Sequence, residues 1–282
     1  MDPILSVDAL ASLVREGLPL VKVDARRAHA SYLASRLAGA SWVDLEVDLA
    51  HPAPDASQGG RHPLPSPEAF ARTLARLGID TDSRVVVYDD QAGALAAARL
   101  WWMLRACGVA EVQVLDGGWA AITEAAAHGA LALESGEPRE AQPPSAPSPR
   151  PFAWPTVDLE VVERARLDPS WCVLDVRAAD RFRGENETID PVAGHVPGAI
   201  NVPYASTNLD ERGRFLSAEL LRARYEAVLG ARPLAHTIVH CGSGVTACHT
   251  LLALERAGLG GASLYVGSWS EWCRRPGTAR AP

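Results

Sequence analysis

The sequence repeats itself once, and this repeat constrains the fold more than any other feature. Five landmarks recur in the same order: an apolar segment ending in Asp-x-Arg, a Gly-Ala turn, a β-branched segment, a Leu-x-x-x-Gly segment and a segment ending in Trp. Asp24 lies 151 residues before Asp175, and Trp119 lies 150 residues before Trp269. A nearly constant offset indicates a duplicated domain. The length of 282 residues fits two domains of about 100–200 residues each.

A segment rich in proline and serine separates the two repeats. It spans residues 134–151 and includes the run Gln142-Pro143-Pro144-Ser145-Ala146-Pro147-Ser148-Pro149-Arg150-Pro151. Because proline lacks an N–H group and has a fixed φ, this run cannot form a helix interior or a central strand. The sequence therefore predicts a first domain over residues 1–133, a linker over 134–151 and a second domain over 152–282.

Within each repeat, short apolar segments alternate with helical ones. Residues 85–88 and 238–240 are mostly β-branched, as in strands buried on both faces, and helical patterns follow each of them. Ser66 and Ser217 precede two further helical segments and are suited to cap them. This alternation predicts an α/β fold in which the parallel sheet of each domain is covered by helices on both faces.

Charge and hydropathy exclude two classes of partner. The net charge is −7 and lysine and arginine form no run, which disfavours nucleic acid or an acidic membrane surface. No uninterrupted apolar stretch is long enough to span a bilayer. The first residues, Met1-Asp2-Pro3-Ile4-Leu5, lack the basic region followed by an apolar region that a secretory signal has. We therefore expect a cytoplasmic protein with no nucleic-acid or membrane partner.

The five cysteines are spaced irregularly, at positions 107, 172, 241, 248 and 273. This odd set does not suit a disulfide framework, and in a reducing compartment it indicates one reactive thiol among buried ones. A zinc site is the alternative. Cys241, Cys248 and His249 are too few ligands for it and no Cys-x-x-Cys pair occurs, so we expect no metal site.

The loop after the second β-branched segment carries the clearest chemical signal. It reads Cys241-Gly242-Ser243-Gly244-Val245-Thr246 and joins a predicted strand to a predicted helix. Ligands of open α/β sheets bind at the carboxyl ends of strands. Two glycines allow the backbone to curl so that several N–H groups point at the sulfur, and the helix N-terminus adds positive potential. Both effects favour the thiolate and an anionic persulfide. The predicted binding residues are Gly242, Gly244, Val245 and Thr246, the last through its hydroxyl.

Two other interpretations of this loop are weaker. A buried structural cysteine is the usual state of a free cysteine, but the strand–Cys–Gly-x-Gly–helix context opposes it. Proteins of a related fold, in which a longer cysteine loop closes on an arginine, hydrolyse phosphate esters. Here Ala247 and Cys248 follow Thr246 and no arginine is near, so a phosphate would lack its bidentate partner.

These motifs resemble the two-domain rhodanese family. Besides the Cys241 loop, the resemblance lies in Gly194-His195-Val196-Pro197-Gly198-Ala199, Leu115-Asp116-Gly117-Gly118-Trp119 and Gly267-Ser268-Trp269-Ser270-Glu271-Trp272. It implies two tandem rhodanese-like domains, of which only the second is catalytic. Asp89 stands where the repeat places Cys241, and a carboxylate cannot carry a sulfane sulfur.

The loop resembles that of the 3-mercaptopyruvate branch of this family. Members that use thiosulfate place basic residues after the cysteine, whereas the two residues here are neutral. In the mercaptopyruvate branch a serine works with a histidine and an aspartate, which implies that Ser243, His62 and Asp44 act beside Cys241. Asp48 competes with Asp44 for this role. The alternative is that the aspartate and the histidine are ordinary polar residues between the domains.

That branch also binds the carboxylate of its donor with two arginines. Arg181 matches the first, but residues 185–193, where the second is expected, contain none. Arg183 is a partial substitute. Loss of one charge-assisted pair weakens binding by about 1.5–3 kcal/mol, or about one to two orders of magnitude. The loop thus favours mercaptopyruvate, the missing arginine argues against it, and thiosulfate stays open.

The sequence therefore predicts a sulfurtransferase with two half-reactions and no cofactor. Cys241 takes a sulfur atom from a small anionic donor, with 3-mercaptopyruvate favoured, and holds it as a persulfide. Cyanide, a small thiol or a protein thiol then accepts the sulfur. The alternatives are thiosulfate as donor, or a persulfide carrier or interaction module without turnover.

Overall fold

The computed structural model describes residues 1–51, 54–138 and 147–282, and the chain forms two compact units. The first unit comprises Met1–Leu49 and Pro65–Ala153, and the second comprises Ala50–Leu64 and Trp154–Pro282. Ala50–Leu64 thus belongs to the second unit although it lies within the first repeat. Of the predicted linker, residues 139–146 lie outside the described residues.

The first unit is an α/β domain. In chain order its elements are β1 (Ile4–Leu5), α1 (Val7–Arg15), β2 (Val21–Asp24), α2 (His29–Ala34), β3 (Arg36–Leu37), β4 (Ala40–Trp42), α3 (Pro67–Leu77), β5 (Arg84–Tyr88), α4 (Ala96–Ala106), β6 (Glu111–Leu115), α5 (Gly118–Ala127) and β7 (Leu133–Glu134). A five-stranded parallel sheet has the order β1-β6-β5-β2-β4. The short strands β3 and β7 pair antiparallel.

The second unit repeats this architecture. Its elements are β8 (Thr156–Val157), α6 (Leu159–Ala165), β9 (Cys172–Asp175), α7 (Ala179–Phe182), β10 (Ile200–Asn201), α8 (Tyr204–Asn208), α9 (Ala218–Leu229), the 3-10 turn Leu234–His236, β11 (Thr237–His240), α10 (Ala247–Arg256), β12 (Ser263–Tyr265) and α11 (Ser268–Trp272). The parallel sheet runs β8-β12-β11-β9-β10. The two strand orders match position by position, which confirms the predicted α/β class.

The predicted helix starts and buried strands are also present. Ser66 Oγ accepts a hydrogen bond from Ala69 N–H, and Ser217 Oγ accepts one from Leu220 N–H, so both serines cap helices as predicted. The central strands β5 and β11 are covered on both faces, and Val239 is 0% exposed. No helix among the described residues is long and apolar enough to cross a membrane.

Strand pairing in the second unit determines where its loops meet. His240, the last residue of β11, pairs with Asp175, the last residue of β9. The loops that leave these two strands therefore begin side by side at the carboxyl edge of the sheet. One is the Cys241 loop, and the other leads through Arg177 to Arg181.

Candidate active site

The Cys241 loop is buried and held by the start of α11. Cys241 is 1% exposed. Its carbonyl oxygen accepts the N–H of Trp269 at 3.0 Å, and the carbonyl of Gly242 accepts the N–H of Ser270 at 2.8 Å. Gly244 has φ +73°, and a Cβ there would lie 2.4 Å from the carbonyl oxygen of Val266. Glycine is therefore required at this position, because only a residue without a side chain allows the close approach.

Ser268 contacts the cysteine directly and was missed in the sequence. Its hydroxyl accepts the N–H of Cys241 at 3.1 Å and donates to the carbonyl of Tyr265 at 2.9 Å. Ser268 has φ +52°, which costs a non-glycine residue roughly 1–2 kcal/mol. The first repeat has Gly118 at the equivalent position, with φ +51°. A serine where the sister repeat has glycine is the signal that identifies this residue.

A buried cation lies close to Cys241. Arg177 pairs with Asp175 at 2.6 Å, and both side chains are at most 1% exposed. Burial lowers the pKa of Arg177, but the charges of Asp175, Glu187 and Cys241 raise it overall. Burial also lowers the pKa of His240, although Asp175 opposes this effect. His240 is therefore neutral at neutral pH, and Arg177 is the buried cation on this side of the loop.

Residues 59–62 join the site through contacts with α11. The N–H of Gly59 donates to Glu271 Oε1 at 3.0 Å, and the N–H of Arg61 donates to Ser270 Oγ at 3.1 Å. Gly60 has φ +79°, and a Cβ there would lie 2.3 Å from the carbonyl oxygen of Gly267. These contacts explain why the segment belongs to the second unit.

The structure brings His62 and Ser243 together. His62 Nδ1 lies 2.7 Å from Ser243 Oγ, within hydrogen-bond distance, and the two residues are 8% and 7% exposed. Asp44 lies in the first unit, where its Oδ1 accepts the N–H groups of Glu46 and Val47. The catalytic role of Asp44 stays a prediction. The competing residue Asp48 lies beside Asp44, because its Oδ2 accepts the N–H of Asp44 at 2.8 Å and also pairs with Arg76 at 2.6 Å.

Two arginines border the loop. A Cβ at Gly242 would lie 3.2 Å from Arg61 Nη2 and 3.5 Å from Arg181 Nη1. Arg183, considered as a substitute cation, is 54% exposed and pairs with Glu185 at 2.8 Å. The sequence interpretation overlooked Arg61, although it directly precedes His62.

The remaining loop residues lead into α10. Val245 is 4% exposed, and Thr246 occupies the N-cap position of the helix with φ −69°. The carbonyl of Thr246 accepts the N–H of His249 at 3.2 Å. The described residues contain no group of three or more His, Cys, Asp or Glu side chains that could hold a metal ion.

The equivalent loop of the first unit is filled by its own side chain. Asp89 is 0% exposed. Its Oδ1 accepts the N–H groups of Gln91 and Gly93, and its Oδ2 accepts those of Leu95 and Ala97, at 2.8 to 3.3 Å. Its carbonyl accepts the N–H of Trp119, as the carbonyl of Cys241 accepts that of Trp269. Burial raises the pKa of Asp89, and the four N–H groups oppose that effect without cancelling it. The loop therefore directs its N–H groups at a carboxyl group of its own chain.

We expect Gly60→Ala to detach residues 59–62 from α11. The new Cβ would clash with the carbonyl of Gly267, whereas a Cβ at Gly59, which also has positive φ, meets only Pro63 at 3.5 Å. Gly59→Ala is thus the matched control, with the backbone penalty but without the clash. Local opening should become easier by roughly 2–4 kcal/mol in Gly60→Ala and about 1–2 kcal/mol in the control. Hydrogen exchange of the Arg61 amide measures this opening. Equal exchange in both variants would contradict the interpretation.

This chain resembles known proteins over most of its length. The family model "Rhodanese-like domain" matches residues 6–125 and 159–275. A Pseudomonas aeruginosa protein named "Probable 3-mercaptopyruvate sulfurtransferase" is 44% identical over 246 residues, which cover 87% of this chain and 84% of that protein. The thiosulfate sulfurtransferase of Gallus gallus is 36% identical over 272 residues, covering 89% and 82%. The solved structure of 3-mercaptopyruvate sulfurtransferase from Leishmania major is similar, with a TM-score of 0.82 at 30% identity, covering 98% and 75%.

Proposed function

Because this chain belongs to the rhodanese-like family and is a sulfurtransferase, we propose that Cys241 carries the transferred sulfur and that 3-mercaptopyruvate is the donor. The observation that carries the proposal is the 2.7 Å contact between His62 Nδ1 and Ser243 Oγ, two residues from the cysteine. Neighbouring hydroxyl and imidazole groups move protons, and mercaptopyruvate is the donor whose reaction requires a proton transfer.

The first half-reaction transfers the sulfur of mercaptopyruvate to Cys241. The Cys241 thiolate attacks the sulfur of mercaptopyruvate, an S–S bond forms and the C–S bond breaks, with its electron pair leaving on carbon as the enolate of pyruvate. The donor loses its thiol proton and the enolate carbon gains one, so the charge balances when the product is a Cys241 persulfide anion and pyruvate. We propose that Ser243 and His62 move this proton and that Asp44 orients the imidazole.

The second half-reaction transfers the outer sulfur to an acceptor. Members of this family need a sulfur donor and an acceptor, and we propose a thiol, which includes a protein thiol, or cyanide for this role. The acceptor attacks the outer sulfur, and Cys241 leaves as a thiolate. The loop residues Gly242, Gly244, Val245 and Thr246 are proposed to hold the anionic persulfide.

A cytoplasmic location is part of the proposal. All five cysteines lie among the described residues, each is buried and none forms a disulfide. Unpaired thiols suit a reducing compartment, where a persulfide also needs protection from bulk solvent. The 1% exposure of Cys241 supplies that protection.

Thiosulfate is the second candidate donor. It is favoured by the positive charge of Arg61 and Arg181 beside Gly242 and by the 36% identity to a thiosulfate sulfurtransferase. Its sulfane sulfur transfers with loss of sulfite and without a proton transfer.

Steady-state turnover with each donor, with cyanide as acceptor, tests the proposed donor. We expect the larger kcat/KM with mercaptopyruvate. A larger kcat/KM with thiosulfate would make thiosulfate the donor. Turnover with neither donor would favour the alternative of a persulfide carrier without turnover.

The donor preference predicts a selective effect of Ser243→Ala. We expect kcat with mercaptopyruvate to fall roughly 10²-fold, the usual contribution of a proton-transferring group, and turnover of thiosulfate to change little. The measurement is the ratio of kcat/KM for the two donors. Ser206→Ala is the control, because Ser206 is exposed and its hydroxyl donates to the backbone carbonyl of Pro203 at 3.4 Å. Equal losses with both donors would show that Ser243 only shapes the loop.

A further inference from the structure

The first turn of α11 holds two segments at once. Its backbone N–H groups donate to carbonyl groups of the Cys241 loop, at 2.8 and 3.0 Å. Its side chain Glu271 holds the segment that contains His62, because Oε1 accepts the N–H of Gly59 at 3.0 Å. We propose that Glu271 is a positioning residue for His62, and that it keeps the imidazole 2.7 Å from Ser243 Oγ. This inference rests on the proposed roles of His62 and Ser243 in proton transfer.

A buried tyrosine orients the carboxylate of Glu271. Tyr265 is 0% exposed, and its hydroxyl donates to Glu271 Oε2 at 2.9 Å, while Oε1 accepts from Gly59. Burial and the negative charge of Glu271 raise the pKa of Tyr265, so its hydroxyl stays protonated at neutral pH and remains a donor. Both oxygens of the carboxylate are thus held by hydrogen bonds to an ionised acceptor, which are stronger than those between neutral groups.

The backbone around Glu271 leaves room for this arrangement. The carboxylate folds back over Gly267, where any Cβ would overlap it. A Cβ at Gly60 would overlap the carbonyl oxygen of the same Gly267, so the docked segment lies directly against the turn. Ser270 adds a second contact, because its Oγ accepts the N–H of Arg61 at 3.1 Å. The segment is therefore fixed at Gly59 and at Arg61, one on each side of its closest approach.

The inactive repeat has nonpolar residues at the three positions that supply these polar side chains. At the offset of 150 residues they are Leu115, Ala120 and Ala121, in place of Tyr265, Ser270 and Glu271. The backbone bond of the turn is kept, because the N–H of Trp119 donates to the carbonyl of Asp89 at 2.8 Å. Holding the loop is thus common to both units, whereas the polar side chains occur only in the unit that carries the cysteine. This difference assigns them to the reaction and not to the fold.

Glu271→Ala tests this role, and Ala121 in the first repeat indicates that the turn accepts an alanine. We expect the amides of Gly59 and Arg61 to exchange hydrogen roughly 10- to 100-fold faster, because the segment loses one of its anchors. The kcat with mercaptopyruvate should fall roughly 10- to 100-fold, since small misplacements of reacting groups have effects of this size. The kcat with thiosulfate, which needs no proton transfer, should change less. Glu271→Gln keeps an accepting oxygen and should lie between Glu271→Ala and the parent protein.

Two matched variants separate positioning from general stability. Glu160→Ala removes another carboxylate of the second unit, one that pairs with Arg275 at 3.3 Å, and should change neither hydrogen exchange nor kcat. Tyr265→Phe should lower kcat with mercaptopyruvate, because the carboxylate of Glu271 loses its orienting bond. Tyr225→Phe also removes a buried hydroxyl that donates to a side chain, that of Asn208, but should leave the ratio of kcat for the two donors unchanged.

The nitrogen chemical shifts of the His62 imidazole, measured by NMR, report its contact with Ser243 without turnover. In Glu271→Ala they should move to the values found in Ser243→Ala, which supports the inference even if the parent protein transfers no sulfur and the proposed function fails. Unchanged shifts and unchanged exchange in Glu271→Ala overturn the inference, while turnover of the parent protein preserves the function.

A double variant tests whether Glu271 acts through the proton-transferring pair. In a Ser243→Ala background, Glu271→Ala should lower kcat with mercaptopyruvate little further, because the group that it positions no longer has its partner. Full additivity of the two losses, or equal losses with both donors, would show that Glu271 only stabilises the fold and would overturn the inference.

Discussion

Cys241→Ser is expected to lower sulfur transfer by at least about 10³-fold with either donor, because a hydroxyl rarely ionises near neutral pH and cannot form a persulfide. The fold should survive. Oxygen replaces sulfur in a side chain of similar shape, while the backbone of Cys241 keeps its bonds to Ser268 and Trp269. Mass spectrometry after donor treatment should show one added sulfur atom in the parent protein and none in the variant.

Cys248→Ser is the matched control for this experiment. Cys248 is also buried, and its thiol contacts the carbonyl of Gly244 at 3.4 Å, a bond that a serine hydroxyl can replace. Turnover and sulfur loading should persist in this variant. If Cys241→Ser still turned over, or if the added sulfur were found on Cys248, the assignment of the carrier residue would be wrong.

The parts of the fold that depend on local pattern were predictable from the sequence. The strands β5 and β11 are continuous apolar runs because both faces of a central parallel strand are covered. Ser66 and Ser217 cap helices through a bond between near neighbours in the chain. The Cys241 loop was recognisable because its glycines, cysteine and following helix are contiguous. In each case the residues that carry the sequence signal lie within a few positions of each other.

The parts that depend on distant contacts were not predictable. Docking of residues 59–62 on α11 joins positions more than 200 apart, through a backbone approach at Gly60 that no periodicity encodes. The place of Arg61 beside Gly242 follows from that docking, so the sequence could not show it. The strained Ser268 could have been found, since the repeat aligns it with Gly118.

We expect the second large effect from the Asp89 loop of the first unit. Aligning the repeats places Asp89 opposite Cys241, but only the structure shows that four backbone N–H groups converge on its carboxylate. Asp89→Ala leaves these buried donors without their acceptor, and each such loss costs about 1–3 kcal/mol when water cannot replace it fully. We expect the free energy of unfolding to fall by roughly 3–5 kcal/mol, which is near the upper end for a single substitution.

Asp90→Ala is the control for this experiment, because Asp90 is adjacent but exposed and should change stability little. The stability of Asp89→Asn should lie between that of Asp89→Ala and that of Asp90→Ala. The amide keeps one accepting oxygen but turns an NH₂ group toward two of the N–H groups. Urea unfolding followed by circular dichroism measures the differences in stability.

Below the urea concentration at which Asp89→Ala unfolds, its activity per folded molecule should equal that of the parent protein, because the sulfur is carried on Cys241 and not in this loop. Added formate, a carboxylate without a chain, should stabilise Asp89→Ala more than the parent protein by binding the vacated N–H groups. Unchanged stability in Asp89→Ala, or lost turnover in a well-folded variant, would show that this carboxylate does something other than fill its own loop.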